Sequence, residues 1–209
     1  MHDDTAPKPD HQALFQLAAE WRGYFTTQQA RSCGFRPNLI NHHVRQGRFI
    51  RVRRGLYRFR DFPGMPHDEL VEALLIVGLD EAVVSHQSAL EVLELSDVIP
   101  ASISITIPRS RRYLRAPDGV TLHTTSDDIR PQDRIERDGI RMTSATRSIL
   151  DSAEAGLAQE QVELAIWQAI QRGLSSEVEL ETGACDRSSY VRTIVEHALE
   201  ELPREIRER

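Results

Sequence analysis

The sequence predicts an α+β protein in two parts: an N-terminal winged helix-turn-helix, then a mixed α+β domain with a small antiparallel or mixed sheet. Three observations predict it. Capped helical stripes fill residues 11–47, two short alternating runs flank Arg54-Gly55, and beyond Pro63 the helix and strand periodicities mix without regular strand–helix–strand alternation. The expected boundaries are a disordered tail at 1–10, the winged unit at 11–62 and the larger domain at 66–205.

The winged unit reads as follows. Leu14, Leu17, Ala18 and Trp21 make the apolar stripe of a first helix starting at His11, which Gly23 ends. Thr26 with Gln29 forms a capping box, Phe25 with Ala30 the hydrophobic staple beside it, and Gly34 stops this second helix. Pro37 suits a first helical position, where its missing N–H would have no partner, so a third helix runs towards Gly47. At 100° per residue, Asn38, Asn41, His42 and Arg45 share one face of that helix, and Leu39, Ile40, His43 and Val44 the other. In the hairpin, Ile50 and Val52, then Tyr57 and Phe59, are assigned to the side facing the helices. Arg51, Arg53, Arg58 and Arg60 are assigned to the opposite side.

Charge adds a functional direction. The chain carries a net −6, which taken whole disfavours a polyanionic partner. The arginines are not spread evenly. Residues 22–60 hold ten arginines and no acid, which leaves −16 for the remainder. Asparagine can pair with adenine N6 and N7 and arginine with guanine O6 and N7, so the polar face of the third helix suits a major groove, with the basic hairpin on the adjoining backbone. The expected DNA-contacting residues are Thr27, Arg36, Asn38, Asn41, His42, Arg45, Arg48, Arg51, Arg53, Arg54 and Arg58. The bland alternative, a solvated charged face, leaves ten like charges repelling one another.

In the second part, Leu70, Val71, Leu74 and Val77 mark a helix from His67 that opens a new core. Ser85 reads as the cap of a helix carrying Ala89, Leu90 and Leu93. Ile103, Ile105 and Ile107 alternate as a half-buried strand, Val120, Leu122 and Thr124 repeat the pattern, and Asp138-Gly139 joins a hairpin of 134–137 and 140–143. Ser144 caps a helix with Ile149, Leu150 and Ala153 inside. Another helix ends at Gly173, residues 174–187 are less periodic, and 188–202 form a terminal helix. Arg109, Arg111, Arg112 and Arg115, around Tyr113, form a second basic cluster that is either an auxiliary nucleic-acid or partner contact or a solvated loop.

Catalytic patterns are weak. His86 beside Ser85, with Asp97 downstream, invites a triad, but no G-x-S-x-G elbow accompanies it. Glu177, Glu179 and Glu181 are the acids a metal-dependent nuclease would need, yet the chain's one lysine is Lys8, in the expected tail. His2, His11, His67, His123 and His197 lack ligand spacing, Cys33 and Cys185 lie far apart, and glycine-rich phosphate loops are absent, so no metal, cofactor or disulfide is expected. The composition, 40% hydrophobic and 28% charged, is that of an ordinary globular protein. No run is long and apolar enough for a bilayer and the start lacks the pattern of a secretory signal, so a cytoplasmic location is expected.

The order of motifs resembles the AbiEi-type antitoxins of abortive-infection, or type IV, toxin–antitoxin systems. The resemblance rests on Phe25-Thr-Thr-Gln-Gln-Ala30, Gly34 and the run from Val44 to Arg58. Downstream it rests on Ser85-His-Gln-Ser-Ala-Leu90, Thr106-Ile-Pro108, Asp138-Gly-Ile140 and Thr143 to Asp151. It spans about residues 12–175. It implies a regulator that represses its own operon by binding inverted repeats, with a C-terminal domain that counteracts a nucleotidyltransferase-like toxin encoded alongside. Many relatives carry a further nuclease-like domain, for which residues 176–209 are expected to be too short. Two other readings compete: a stand-alone winged-helix transcription regulator whose second domain senses a ligand or partner, and a DNA-processing enzyme using the acids near Glu179.

Overall fold

The computed structural model describes residues 8–78, 81–125 and 129–202. The chain divides into two compact units, Met1–Gly78 and Leu79–Arg209. Of the expected tail, residues 1–7 and with them His2 lie outside the described residues. Asp10 belongs to the fold: its carboxylate accepts from Ala13 N at 2.9 Å and caps the first helix.

The first unit runs α1 (His11–Ala19), β1 (Tyr24–Thr26), α2 (Thr27–Ser32), α3 (Pro37–Arg45), β2 (Phe49–Arg53), β3 (Leu56–Phe59) and α4 (Asp68–Val77). The three strands form an antiparallel sheet in the order β1-β3-β2. Local chemistry sets the helix starts as expected. Thr26 and Gln29 make the reciprocal capping box, the staple pair Phe25 and Ala30 is fully buried, and Pro37 is the first residue of α3. Leu14, Ala18, Phe25, Ala30, Phe35, Ile40, Phe49 and Tyr57 form the core, with Leu39 and Val44 packed against it.

Two expectations need correction. The phase of β2 is the reverse of the one assigned. Phe49 pairs with Phe59 and Arg51 with Tyr57, so Phe49 turns inward with Tyr57 and Phe59, while Ile50 lies opposite Arg58 on the other face and is 38% exposed. The reason is size: Phe49 packs edge-on against Phe25 and Phe59, and a period of two then sends Ile50 outward. A register shift between Arg51 and Arg53 follows. The second correction concerns α4, expected to open the second domain. It belongs to the first unit, held by pairs from Asp68 to Arg22 and Arg58 and from Glu72 to Arg53.

The second unit runs β4 (Val83–Val84), α5 (His86–Leu93), β5 (Ile103–Pro108), a 3-10 turn (Arg109–Arg111), β6 (Val120–Thr125), a second 3-10 turn (Pro131–Asp133), β7 (Arg134–Arg137), β8 (Ile140–Thr143), α6 (Ala145–Glu154), α7 (Gln159–Gln171), α8 (Glu177–Ala184) and α9 (Ser189–Glu200). Its sheet has the order β6-β5-β4-β8-β7 and is mixed: β5 runs parallel to β6 and β4 to β8, and the other two pairings are antiparallel. β4, two residues long and without sequence periodicity, is the central strand.

β5 is covered on both faces, not half-buried. Ser104 and Thr106 are buried beside the isoleucines because Ser88 and Ser85 satisfy them: Ser104 N donates to Ser88 Oγ at 3.0 Å and the Thr106 hydroxyl to Ser85 Oγ at 2.8 Å. Asp138 and Gly139 both take positive φ, as a type I′ hairpin requires. The weakly periodic 174–187 segment holds α8. Its capping box ties Glu179 to Ser176, so this acid secures a helix start.

Candidate nucleic-acid interface

α2 and α3 are joined by Cys33–Arg36, with Gly34 in the left-handed region that lets the chain reverse within four residues. Inward residues Ile40 and His43 anchor α3, and the opposite face presents Asn38, Asn41, His42 and Arg45 to solvent, as the sequence implied. His43 is buried against Phe35 and Phe49 with neither ring nitrogen hydrogen-bonded. Burial, then the neighbouring His11, pushes its pKa down, so it stays neutral.

The arginines divide by geometry. Arg36, at the start of α3, Arg45, Arg48, Arg51 and Arg54 are exposed and have no ion-pair partner among the described residues. Thr27, at the first turn of α2, is committed to the wing: its N–H and hydroxyl both donate to the Gly55 carbonyl, at 2.9 and 3.3 Å, fixing the hairpin turn against α2. Arg53 is half-exposed but paired with Glu72 at 2.5 Å.

Arg58 departs from the expected row. Its side chain is only 14% exposed, lies 5.1 Å over the Tyr24 ring and donates to the Pro63 carbonyl at 2.7 Å and to Asp68 at 3.3 Å. Arg22 meets the same carboxylate, and Arg60 Nε donates to the Gly47 carbonyl. Counted over residues 8–78, eleven basic side chains face six acidic ones, a net of +5. The ten-arginine window stopped short of Asp68 and Glu72, whose position four residues apart at the start of a helix was the available signal.

The second basic cluster lies in the second unit, on the 3-10 turn after β5. Arg109, Arg112 and Arg115 are exposed and Arg111 half-buried. Arg112 stacks 4.3 Å over Tyr113 and donates to its hydroxyl at 2.6 Å, which leaves that ring 82% exposed.

The second unit also contains a polar cavity of about 390 Å³ that sequence reasoning missed. His86 and His123 line it as a parallel stack, ring centroids 3.6 Å apart. Ser85 holds His86 Nδ1 at 2.9 Å, but the third member is the buried Thr106 hydroxyl, not Asp97. From α6, Arg147 donates to both oxygens of Asp151, and Arg187 donates to the same carboxylate at 2.6 Å. Three segments that carry the family resemblance, Ser85-His86, Thr106 and Arg147 to Asp151, meet here. Their separations along the chain concealed it. Among the described residues no cluster of three or more metal-ligating side chains occurs, and no helix is long and apolar enough to cross a membrane.

Residues 12–60, α1 through the wing, match the family model described as "Transcriptional regulator, AbiEi antitoxin". Residues 12–60 are thus similar to the AbiEi antitoxin family of transcriptional regulators. The match covers every element of the first unit up to α4. No curated protein matches the chain. Among solved structures, the crystal structure of the RV2827C protein from Mycobacterium tuberculosis is similar in fold, with a TM-score of 0.57 at 16% identity, over 93% of this chain and 78% of that one. The likeness in fold thus extends well past the residues that the family model matches.

Proposed function

We propose that this chain is the DNA-binding antitoxin of a type IV toxin–antitoxin pair, acting in the cytoplasm without catalysis or cofactor of its own. In this reading it represses its operon by binding inverted repeats, and its second unit counteracts a nucleotidyltransferase-like toxin. The observation that carries the DNA-binding part is the exposed Asn38, Asn41, His42 and Arg45 face of α3, beside a wing whose Arg51 and Arg54 are unpaired. The contact set narrows accordingly. α3 reads bases, Arg36, Arg48, Arg51 and Arg54 hold phosphates, and Thr27, Arg53 and Arg58 brace the frame.

Fluorescence anisotropy with DNA from upstream of the gene tests this. Asn41→Ala and Arg45→Ala should each reduce preference for that DNA over scrambled duplex by about 1–3 kcal/mol. The double change Arg51→Ala with Arg54→Ala should weaken both duplexes equally. Unchanged binding in all these variants would end the winged-helix reading. Co-expression with the neighbouring nucleotidyltransferase-like gene tests the antitoxin part: growth should be restored only when this chain is present.

A second reading, a regulator whose second unit senses a ligand, is favoured by the polar cavity between α6 and the sheet.

A further inference from the structure

The cavity lies against the second half of the parallel strands β5 and β6, where Thr106, His123, Thr124 and Thr125 line it. Its other wall comes from Arg147, Asp151 and Glu154 of α6, with Arg187 from the turn before α9.

An inventory of donors and acceptors shows what this wall recognises. The carboxylates are already engaged. Asp151 accepts from Arg147 and Arg187, and Glu154 accepts from the N–H and hydroxyl of Ser188 at 3.2 and 3.1 Å. The guanidiniums are not exhausted. Each has five N–H donors; Arg187 spends one on Asp151, and Arg147 spends its Nε there, with Nη1 3.9 Å from Asp133. In the histidine chain the Thr106 hydroxyl donates to Ser85 Oγ, which leaves the Ser85 proton available to His86 Nδ1, 2.9 Å away, the arrangement that puts the imidazole proton on Nε2. Among the described residues His123 Nε2 is buried with no hydrogen-bond partner, an unfavourable state that a ligand accepting from or donating to it would relieve.

The backbone also singles out this place. His86 takes φ +53°, left-handed for a residue with a Cβ, at the first turn of α5. A metal is disfavoured by the stack itself: the rings are inclined by only 18°, so their in-plane lone pairs run side by side and do not converge on one ion. What remains is a donor-rich pocket framed by two arginines held rigid on one carboxylate.

We propose that this cavity binds the phosphate group of a small organic phosphate of mononucleotide size, with Arg147, Arg187, His86 and His123 donating to its oxygens. A phosphate monoester presents three terminal oxygens to such converging donors, and the volume lies within the range of small-molecule pockets, larger than a bare phosphate fills. Burial keeps His86 neutral, its pKa pushed down to about 4, so its contact with the phosphate carries no charge and calls for the Nε2–H tautomer. The inference deepens the ligand-sensing reading and does not depend on DNA binding.

The test is titration of the full chain with inorganic phosphate and, separately, adenosine monophosphate, following the imidazole nitrogens by long-range proton–nitrogen NMR. Saturable shifts of His86 and His123 at millimolar or lower ligand are expected, tighter for the nucleotide. Equal affinity for both would restrict the site to free phosphate and overturn the organic ligand. Arg187→Gln should weaken binding about tenfold, and Arg112→Gln, in the exposed basic turn, should leave it unchanged. Should Arg187→Gln unfold the unit, His123→Phe decides, since it keeps the stack and removes the orphaned nitrogen. Unchanged affinity in that variant, or no shift of either histidine at millimolar ligand, overturns the proposal. Loss of DNA binding with the shifts retained would defeat the winged-helix reading alone.

Discussion

Arg54 and Arg58 stand four residues apart in one hairpin, yet one is exposed and the other held over the Tyr24 ring by Asp68 and the Pro63 carbonyl. Their replacement should separate the two roles. Removing Arg58 leaves the largely buried Asp68 with Arg22 as its one arginine and uncovers the Tyr24 ring, so Arg58→Ala should cost about 2–3 kcal/mol, read as a lower urea midpoint at unchanged m. Arg54→Ala should change stability by less than about 0.5 kcal/mol. The histidines set a pH dependence. Burial, then the stacked His123, brings His86 down to about 4, and burial also lowers His123 and His43. An unfolded imidazole takes its proton near 6.5. Below that value the unfolded chain binds protons the folded chain refuses, so stability is full above about pH 6.5 and falls as pH drops towards 4. His86 alone should remove roughly 2 kcal/mol by pH 5, and His86→Gln should flatten the denaturation midpoint over that window.

Among elements, β2 is where packing overruled the alternation pattern. With Phe49 at 2% exposure and Ile50 at 38%, Phe49→Ala should cost about 3–5 kcal/mol and Ile50→Ala under about 1 kcal/mol, as measured by chemical denaturation; the reverse order would restore the phase assigned from sequence. The turn after α1 is equally constrained. Gly23 has φ +85° and donates to the Ala18 carbonyl, and a Cβ there would lie 2.4 Å from the Phe62 ring. Gly23→Ala should therefore lower stability by about 2–3 kcal/mol, combining left-handed strain with overpacking.

For the whole molecule, charge is segregated but less steeply than the arginine window implied: residues 8–78 carry +5 in a chain of −6. An acidic remainder leaves attraction to DNA dependent on the few unpaired side chains of the first unit, so affinity should be strongly sensitive to salt. With four or five phosphate contacts, the slope of log K against log salt should be about −4, and replacing Arg51 and Arg54 together should flatten it by nearly 2, measured by anisotropy at graded salt. A slope unaffected by that change would move the phosphate contacts elsewhere.

The sequence by itself determined what depends on neighbours within a few residues. The capping box at Thr26, Pro37 at the start of α3, the Asp138-Gly139 turn and the inward and outward faces of α3 each follow from local hydrogen bonds or from one helical period. A second capping box, at Ser176, lies in the segment read as weakly periodic, and only its helix made it visible. Tertiary structure decided whatever depends on partners far along the chain. Asp68 and Glu72 take Arg22, Arg58 and Arg53 out of the exposed row, and β4, too short to show a period, becomes the central strand. His86, His123, Arg147, Asp151 and Arg187, spread over a hundred residues, meet in one cavity. Periodicity tells which way a side chain points, whereas charge pairing and convergence require knowing what stands opposite.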